Sequence, residues 1–153
     1  MDANHINPAL QSVVNVLTTM AGITPIIGKP SIKTDQKAPG VVTGLIDLVG
    51  AETTGSLAIS FSKPVALEIA NKMLRLETDE VDEMVEDLVG EMANMMAGGA
   101  KAIYQEQGYD FELTLPSVLS GENHLVKHSV SGTTILLPFT TDSGEFYVEA
   151  CFN

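Results

Sequence analysis

The spacing of apolar residues along the chain predicts three helices. Apolar positions recur at helical spacing after Pro8, and we expect this first helix to end at Gly22. A second helix is expected to begin at Pro64. The third and longest is expected over 79–105, with Gly108 closing it. No strand is expected between the second and third helices, so these two form one group and the first helix stands apart.

Runs of apolar and β-branched residues between turn residues predict two groups of strands. The strands are expected at 41–49, 56–61, 111–119, 125–130, 133–139 and 145–152. The stretch 23–40 carries three prolines and is expected to be extended and irregular, and 50–55 has the turn chemistry of a hairpin. The order helix, strands, two helices, strands indicates an α+β fold. It is typical of a mostly antiparallel sheet with helices packed on one face.

Length and charge narrow the classes of function. The 153 residues, 44% hydrophobic and 18% charged, predict one globular domain spanning 1–153. The net charge of −12 is unfavourable for binding nucleic acid or an anionic membrane. It favours a protein partner that presents a positive patch.

The N-terminal sequence and the cysteine content predict a cytoplasmic protein. The first residues lack the basic and apolar regions of a signal peptide, and no stretch approaches about 20 apolar residues. Cys151 is the single cysteine, so no internal disulfide can form. It lies in an apolar alternating segment, which predicts a small buried side chain without a nearby base.

The third helix has a broad apolar face, and its four methionines are expected to fill the core. The residues on this face are Val81, Met84, Val85, Leu88, Val89, Met92, Met95, Met96, Gly99, Ala102 and Ile103. The acidic residues over 79–87 are interpreted as a favourable helix N-terminus, since anions there complement the helix dipole.

A narrower stripe lies beside that apolar face. Its members are Asp87, Glu91, Asn94 and Gly98, and Lys101 extends it by one turn. The first four lie within about 60° of one another on a helical wheel. Asn94 and Gly98 cost about 0.5 and 1 kcal/mol of helix stability relative to Ala.

The small residues Gly90 and Ala97 flank this stripe. One interpretation is that they, with Gly98, let another protein approach closely. The other is that Gly98 and Gly99 admit a neighbouring element of the same fold. Periodicity does not decide between the two.

Two histidines four residues apart form a second candidate constellation. His124 and His128 would share a face of a strand, but no third ligand follows at metal spacing. We therefore expect a structural role for them and no metal site.

The stripe also carries a recognisable motif. Asp87-x3-Glu91-x2-Asn94, with Pro116 following 22 positions after the asparagine, resembles the motif of the CheC/CheX/FliY phosphatases. Further segments resemble the CheX branch, namely 90–98, Gly108-Tyr109, 115–118, Gly121-x-Asn123-His124 and Gly144-Glu145-Phe146. The first helix has no Glu-x2-Asn pair, which is similar to the single-site arrangement of CheX.

This resemblance implies an enzyme that removes phosphate from the phospho-aspartate of a CheY-like receiver domain. It implies that Glu91 contacts the lysine beside the phospho-aspartate and that Asn94 enters the receiver's site. An amide there can hold the attacking water without titrating. We expect contact with the partner from the stripe residues Asp87, Gly98 and Lys101 and from Gly90 and Ala97 beside them. We expect Pro116 to shape the strand entrance.

The resemblance further implies a homodimer with no cofactor of its own, the magnesium belonging to the receiver. Two alternatives stay open. The chain could be a receiver-binding or flagellar switch module without turnover, or a structural dimer whose stripe is the subunit interface.

Overall fold

The computed structural model describes residues 3–153, with side chains from residue 5 onward. The helices are α1 (Ala3–Val16), which continues as one π-helical turn over Leu17–Ala21, α2 (Lys63–Leu74) and α3 (Glu83–Glu106). The strands are β1 (Ile26–Ile27), β2 (Ser31–Lys33), β3 (Val42–Val49), β4 (Thr54–Phe61), β5 (Glu112–Leu113), β6 (Ser117–Ser120), β7 (Thr134–Thr141) and β8 (Gly144–Phe152).

All eight strands join one antiparallel sheet. Its central order is β7-β8-β4-β3, with β1 and β2 both pairing with β7 at one edge and β5 and β6 both pairing with β3 at the other. Side chains alternate between the two faces of a strand. Val42, Ile59 and Val148 point to the face that carries the helices and pack into one apolar core. The predicted α+β architecture is confirmed.

Two predicted strands are wrong in detail. The segment 125–130 contributes a single bridge, from Leu125 to Lys37, and no strand. The segment 111–119 is divided into β5 and β6 by residues 114–116. Pro116 has no N–H to donate, so a proline here is compatible with a break in the ladder.

The first helix ends where the sequence predicts. Gly22 adopts φ 65° at its C-terminus, a left-handed conformation that glycine enters without steric cost, and its N–H donates to the carbonyl of Leu17. The helix begins earlier than predicted, because it already includes Ala3 and carries Pro8 within it. Its inner face is pinned to α3, since the buried Ser12 hydroxyl donates to the carbonyl of Met96 at 2.6 Å.

α3 begins at Glu83 and not at 79, because Asp82 is its N-cap. The Oδ1 atom of Asp82 accepts a hydrogen bond from the Val85 N–H at 3.1 Å. At the far end the Gln107 N–H donates to the Tyr104 carbonyl, and Gly108 follows with φ 94°. The predicted closure at Gly108 is therefore confirmed.

The direction of α3 follows from which strand residues it contacts. Val89 and Ala93 share a core cluster with Val42, near the start of β3. Ala97 and Ala100, further along α3, share a second cluster with Ile46 and Leu48. Contacts therefore advance together along both elements, so α3 runs parallel to β3 and antiparallel to β6.

Part of the predicted apolar face of α3 is exposed. Met92 and Met96 are fully buried, as expected, and Met95 is half-buried. Met84 is 52% exposed although its neighbour Val85 in the same first turn is fully buried, so Met84 lies on the outer side of that turn. Core filling is thus wrong for Met84.

Candidate functional site

The polar stripe of α3 lies on the surface. Asp87, Glu91 and Asn94 are exposed, and Gly98 and Lys101 are half-buried. Within the part of the chain that the structure describes, the four side chains other than that of glycine form no hydrogen bond or ion pair. Their polar atoms are therefore available to a second molecule.

Glu91 and Asn94 form the centre of this stripe. They are three positions apart in the helix, which corresponds to about 4.5 Å along the axis and about 60° around it. A carboxylate and an amide thus project side by side from a helix that is fixed on both flanks by α1 and the sheet. Such a pair can accept a cationic group and orient a water molecule next to it.

Charge is distributed unevenly along the stripe. Glu83, Glu86 and Asp87 lie in the first turns of α3, and Glu91 follows one turn later. Lys101 is three turns further on, towards the C-terminal end. A docked partner would therefore meet negative charge on one side of Asn94 and a single ammonium group on the other.

The two adjacent glycines of α3 have different surroundings. A Cβ atom at Gly99 would stand 2.2 Å from the Ser12 hydroxyl, so Gly99 admits α1 of the same fold. A Cβ atom at Gly98 would meet nothing within 4 Å. The two interpretations left open by the sequence therefore each apply to one glycine, and the open space at Gly98 faces outward.

The structure corrects two residues expected to contact a partner. Ala97 is fully buried and packs with Tyr104 and Ile46, so its side chain belongs to the core. Gly90 is also buried, and a Cβ atom there would be 3.0 Å from the Val118 side chain. Both are small because α3 packs closely on its own sheet, and neither presents a surface to another protein.

Pro116 lies directly before β6, at the sheet edge that flanks α3. It is half-buried, and the strand that it precedes packs its Val118 side chain against Gly90. Pro116 thus lies at the entrance of β6, and its role there stays a prediction.

The two histidines bind side chains on the sheet face opposite the helices. The Nε2 atom of His124 is 2.7 Å from the Thr43 hydroxyl, and its Nδ1 atom is 2.8 Å from the carbonyl of Gly121. His128 bridges the Ser56 hydroxyl at 2.7 Å and the Glu149 carboxylate at 2.9 Å. Both imidazoles are thus engaged by the protein itself, which agrees with the structural role expected for them.

Sequence reasoning missed the ion pair between Lys33 and Glu149, the carboxylate that also binds His128. The Nζ atom of Lys33 lies 2.8 Å from Oε2 of Glu149, and both side chains are buried. The residues are 116 positions apart, so no local pattern joins them. The available signal was Glu149 itself, an acidic residue among the apolar residues that end β8, because a buried carboxylate requires a partner.

Residues 3–153 contain neither a membrane-spanning helix nor a cluster of metal-ligating side chains. No helix in this range is both long and apolar enough to cross a membrane. The same residues hold no group of three or more histidine, cysteine or acidic side chains arranged to bind a metal ion.

The chain that carries this stripe is similar to known chemotaxis proteins. The family described as chemotaxis phosphatase CheX matches residues 42–140, which include β3 and the whole of α3. The CheY-P phosphatase CheX of Thermotoga maritima is 32% identical over 146 residues, covering 95% of this chain and 92% of that protein.

Solved structures of CheX proteins are similar to this chain as well. The chemotaxis protein CheX of Vibrio vulnificus is 44% identical, with a TM-score of 0.90, and the match covers 97% of this chain and 99% of that one. A complex of CheX with CheY, BeF3 and Mg2+ from Borrelia burgdorferi includes a chain that is 27% identical, with a TM-score of 0.82 and 97% of each chain covered. The chain described here belongs to the CheX family of chemotaxis phosphatases.

Proposed function

We propose that this protein hydrolyses the phospho-aspartate of a CheY-like receiver domain, with Asn94 and Glu91 as the residues that enter the receiver's site. The observation that carries the proposal is the exposed Asn94 amide, which makes no hydrogen bond to the described chain and lies one turn from an exposed carboxylate on a fixed helix. The CheX relative from Thermotoga maritima is a CheY-P phosphatase, which supports the same reaction here.

The reaction needs little more than a positioned water. An acyl phosphate is already activated, so water attacks phosphorus while the bond from phosphorus to the aspartate oxygen breaks. The products are a free aspartate carboxylate and inorganic phosphate, and the water proton leaves with the phosphate or the solvent. The Asn94 amide can accept a hydrogen bond from this water and donate one to a phosphoryl oxygen. Holding the water in line supplies the rate acceleration.

Glu91 has a docking role in this proposal. Its carboxylate would bind the receiver lysine that lies beside the phospho-aspartate, and this contact would fix how far Asn94 reaches. Asp87, which lies one turn before Glu91 on α3, would adjust how the receiver docks. Gly98 leaves room for the partner surface, and Lys101 offers the ammonium group at the far end of the stripe.

Magnesium belongs to the receiver in this proposal, as does the phosphoryl group, and this chain supplies no cofactor. The CheX–CheY complex from Borrelia burgdorferi was solved with BeF3 and Mg2+, which is consistent with that division. We also propose that residues 1–153 form one CheX-like domain that acts in the cytoplasm, where its receiver would be phosphorylated.

We further propose that the protein is a homodimer through the β1–β2 edge of the sheet. Ile26 and Ile32 on these short strands are 71% and 66% exposed, and Ile27 is 46% exposed. An edge strand offers unpaired backbone groups, and three exposed isoleucines beside it favour cover by a second copy. This edge is opposite to β5 and β6, which flank α3, so the stripe stays free.

The test is phosphate release from a panel of receivers charged with acetyl phosphate, with and without this protein. We expect accelerated release from at least one CheY-like receiver. Asn94→Ala should lower kcat by at least about 100-fold, the range of a lost positioning or proton-transfer group, while the circular dichroism spectrum is unchanged. Lys72→Ala, an exposed change on α2, is the matched control and should keep full activity.

Two outcomes would replace the proposal. If the protein binds receivers tightly but leaves the half-life of their aspartyl phosphate unchanged, it is a binding or switch module. A Glu91→Lys variant that changes the sedimentation of the free protein, with receiver binding intact, would indicate that the stripe is a subunit interface.

A further inference from the structure

Leu115 is the most exposed large apolar side chain among the described residues, at 89%. Its backbone is nonetheless held in place. The Thr114 N–H donates to the carbonyl of Asp47 at 3.1 Å, and the Asp47 N–H donates to the Thr114 hydroxyl at 3.0 Å. On its other side Pro116 restricts the backbone, and Ser117 enters the ladder with Leu45. An apolar side chain is therefore presented to solvent from a fixed connection.

The topology places residue 115 at the level of the polar stripe, on the β6 side of α3. Val118 of β6 packs against Gly90, and β6 runs antiparallel to α3. Stepping back three residues from Val118 to Leu115 covers about 10 Å of extended chain. The same distance forward along α3 from Gly90 is about six or seven residues, because a helix rises 1.5 Å per residue. This brings Leu115 to the level of the turn that follows Asn94.

We infer that Leu115 is an apolar anchor that inserts into the receiver domain next to its phosphorylated aspartate and helps determine which receivers bind. Because this inference rests on the function proposed above, the occupant is the same receiver. Gly90 of α3 faces Val118 of β6, so a partner seated over Asn94 and extending to the β6 side of α3 would cover Leu115. The complementary surface is a shallow apolar pocket.

Continuity with the stripe favours the receiver over a second copy of this chain. A second copy seated on Leu115 would also cover Asn94 and would exclude the substrate. The three exposed isoleucines that suit a second copy lie at the opposite edge of the sheet. The polar stripe and the single large apolar side chain beside it also match the usual anatomy of an interface, in which a few buried apolar anchors contribute most of the affinity.

The test is steady-state dephosphorylation of the best receiver from the acetyl phosphate panel by a Leu115→Ser variant. Loss of a buried leucine side chain from an interface predicts a KM raised at least about tenfold. The kcat at saturating receiver should stay within about twofold, since Leu115 touches no reacting atom. Leu125→Ser is the matched control, because Leu125 is 49% exposed on the segment paired with Lys37, and its KM should not change.

Binding of the receiver charged with beryllium fluoride separates this inference from the proposed function. If the wild-type protein binds this form but does not hydrolyse the phosphorylated receiver, weaker binding of the beryllium fluoride form by Leu115→Ser still supports the anchor. Equal KM and equal affinity for wild-type and Leu115→Ser proteins would overturn it. A change in sedimentation of the Leu115→Ser variant would also overturn the inference, since it would assign Leu115 to self-association. The absence of any complex with a receiver would overturn it as well.

Discussion

Gly44 of β3 lies directly against Ala93 of α3: a Cβ atom at position 44 would stand 2.7 Å from the Cβ of Ala93. It would also stand 3.1 Å from the carbonyl oxygen of Val89, so neither neighbour could move aside without moving the helix backbone. Ala93 immediately precedes Asn94. The position of the proposed catalytic amide is therefore set by a strand residue that has no side chain.

A methyl group at this contact tests that dependence. We expect Gly44→Ala to lower the free energy of unfolding by about 1–3 kcal/mol, the usual cost of overpacking a core. It should also lower kcat, because α3 must shift and the amide shifts with it. Urea unfolding and receiver dephosphorylation measure the two effects. Full stability together with full activity would show that α3 does not rest on Gly44.

The glycine pair of α3 allows a matched comparison. Gly98→Ala should raise the free energy of unfolding by up to about 1 kcal/mol, since the helix gains a better former and the methyl group meets nothing. Gly99→Ala should lower it, because the methyl group overlaps the Ser12 hydroxyl. Combining Gly99→Ala with Ser12→Ala should recover part of the loss. Thermal unfolding of the four proteins measures this, and equal effects at 98 and 99 would contradict the packing of α1.

The buried ion pair on the opposite face should contribute more than the exposed one. Lys33→Met leaves the Glu149 carboxylate with His128 as its remaining partner, and we expect a loss of about 3 kcal/mol or more. Lys63→Met removes an ion pair with Glu80 whose side chains are 48% and 74% exposed, and the expected loss is below about 1 kcal/mol. Urea unfolding of both variants gives the comparison. Similar losses would mean that Glu149 is not desolvated.

Alkaline pH should destabilise the fold through Tyr104. Burial, and then the charge of the nearby Tyr109, raises the pKa of Tyr104 above its usual value, and its hydroxyl donates to the backbone carbonyl of His5. The folded protein therefore holds this proton more tightly than the unfolded chain does. The stabilisation is fully present below the usual tyrosine pKa of about 10 and is lost as the pH rises above it.

Urea unfolding measured across this pH range checks the effect. Stability should fall steeply above about pH 10 in the wild-type protein and less steeply in Tyr104→Phe. A hydrogen bond to Glu145 raises the pKa of Tyr147 to about 12, which acts in the same direction. Tyr147 is less buried and more screened by solvent, so Tyr147→Phe should retain most of the wild-type pH dependence. The reverse order of the two variants would contradict the assignment.

The sequence predicted the features that depend on local periodicity. The exposure of Glu91 and Asn94 follows from the helical repeat over the 24 residues of α3, and the left-handed Gly22 follows from the end of the first apolar repeat. These features need no knowledge of the neighbouring elements. The family motif added the roles of the stripe residues, which periodicity does not supply.

The wrong predictions depend on tertiary neighbours. Ala97 lies about 120° around the helix from Glu91, and its small size reflects the packing of α3 on Ile46 and Leu48 and no partner. The segment 125–130 has strand-like composition, but His124 before it and His128 within it bind Thr43 and Ser56, which hold the segment against the sheet face opposite the helices. The separate roles of Gly98 and Gly99 could be assigned once α1 was in place.

The flanking of α3 by α1 on one side and β6 on the other has a consequence for the thermodynamics of complex formation. The entropy of ordering this helix is spent when the protein folds, so an arriving receiver finds the carboxylate and the amide already at their working separation. Association should then proceed at a rate governed by encounter and charge, without a slow isomerisation of this chain. The heat-capacity change on binding should correspond to the surface covered and to nothing more.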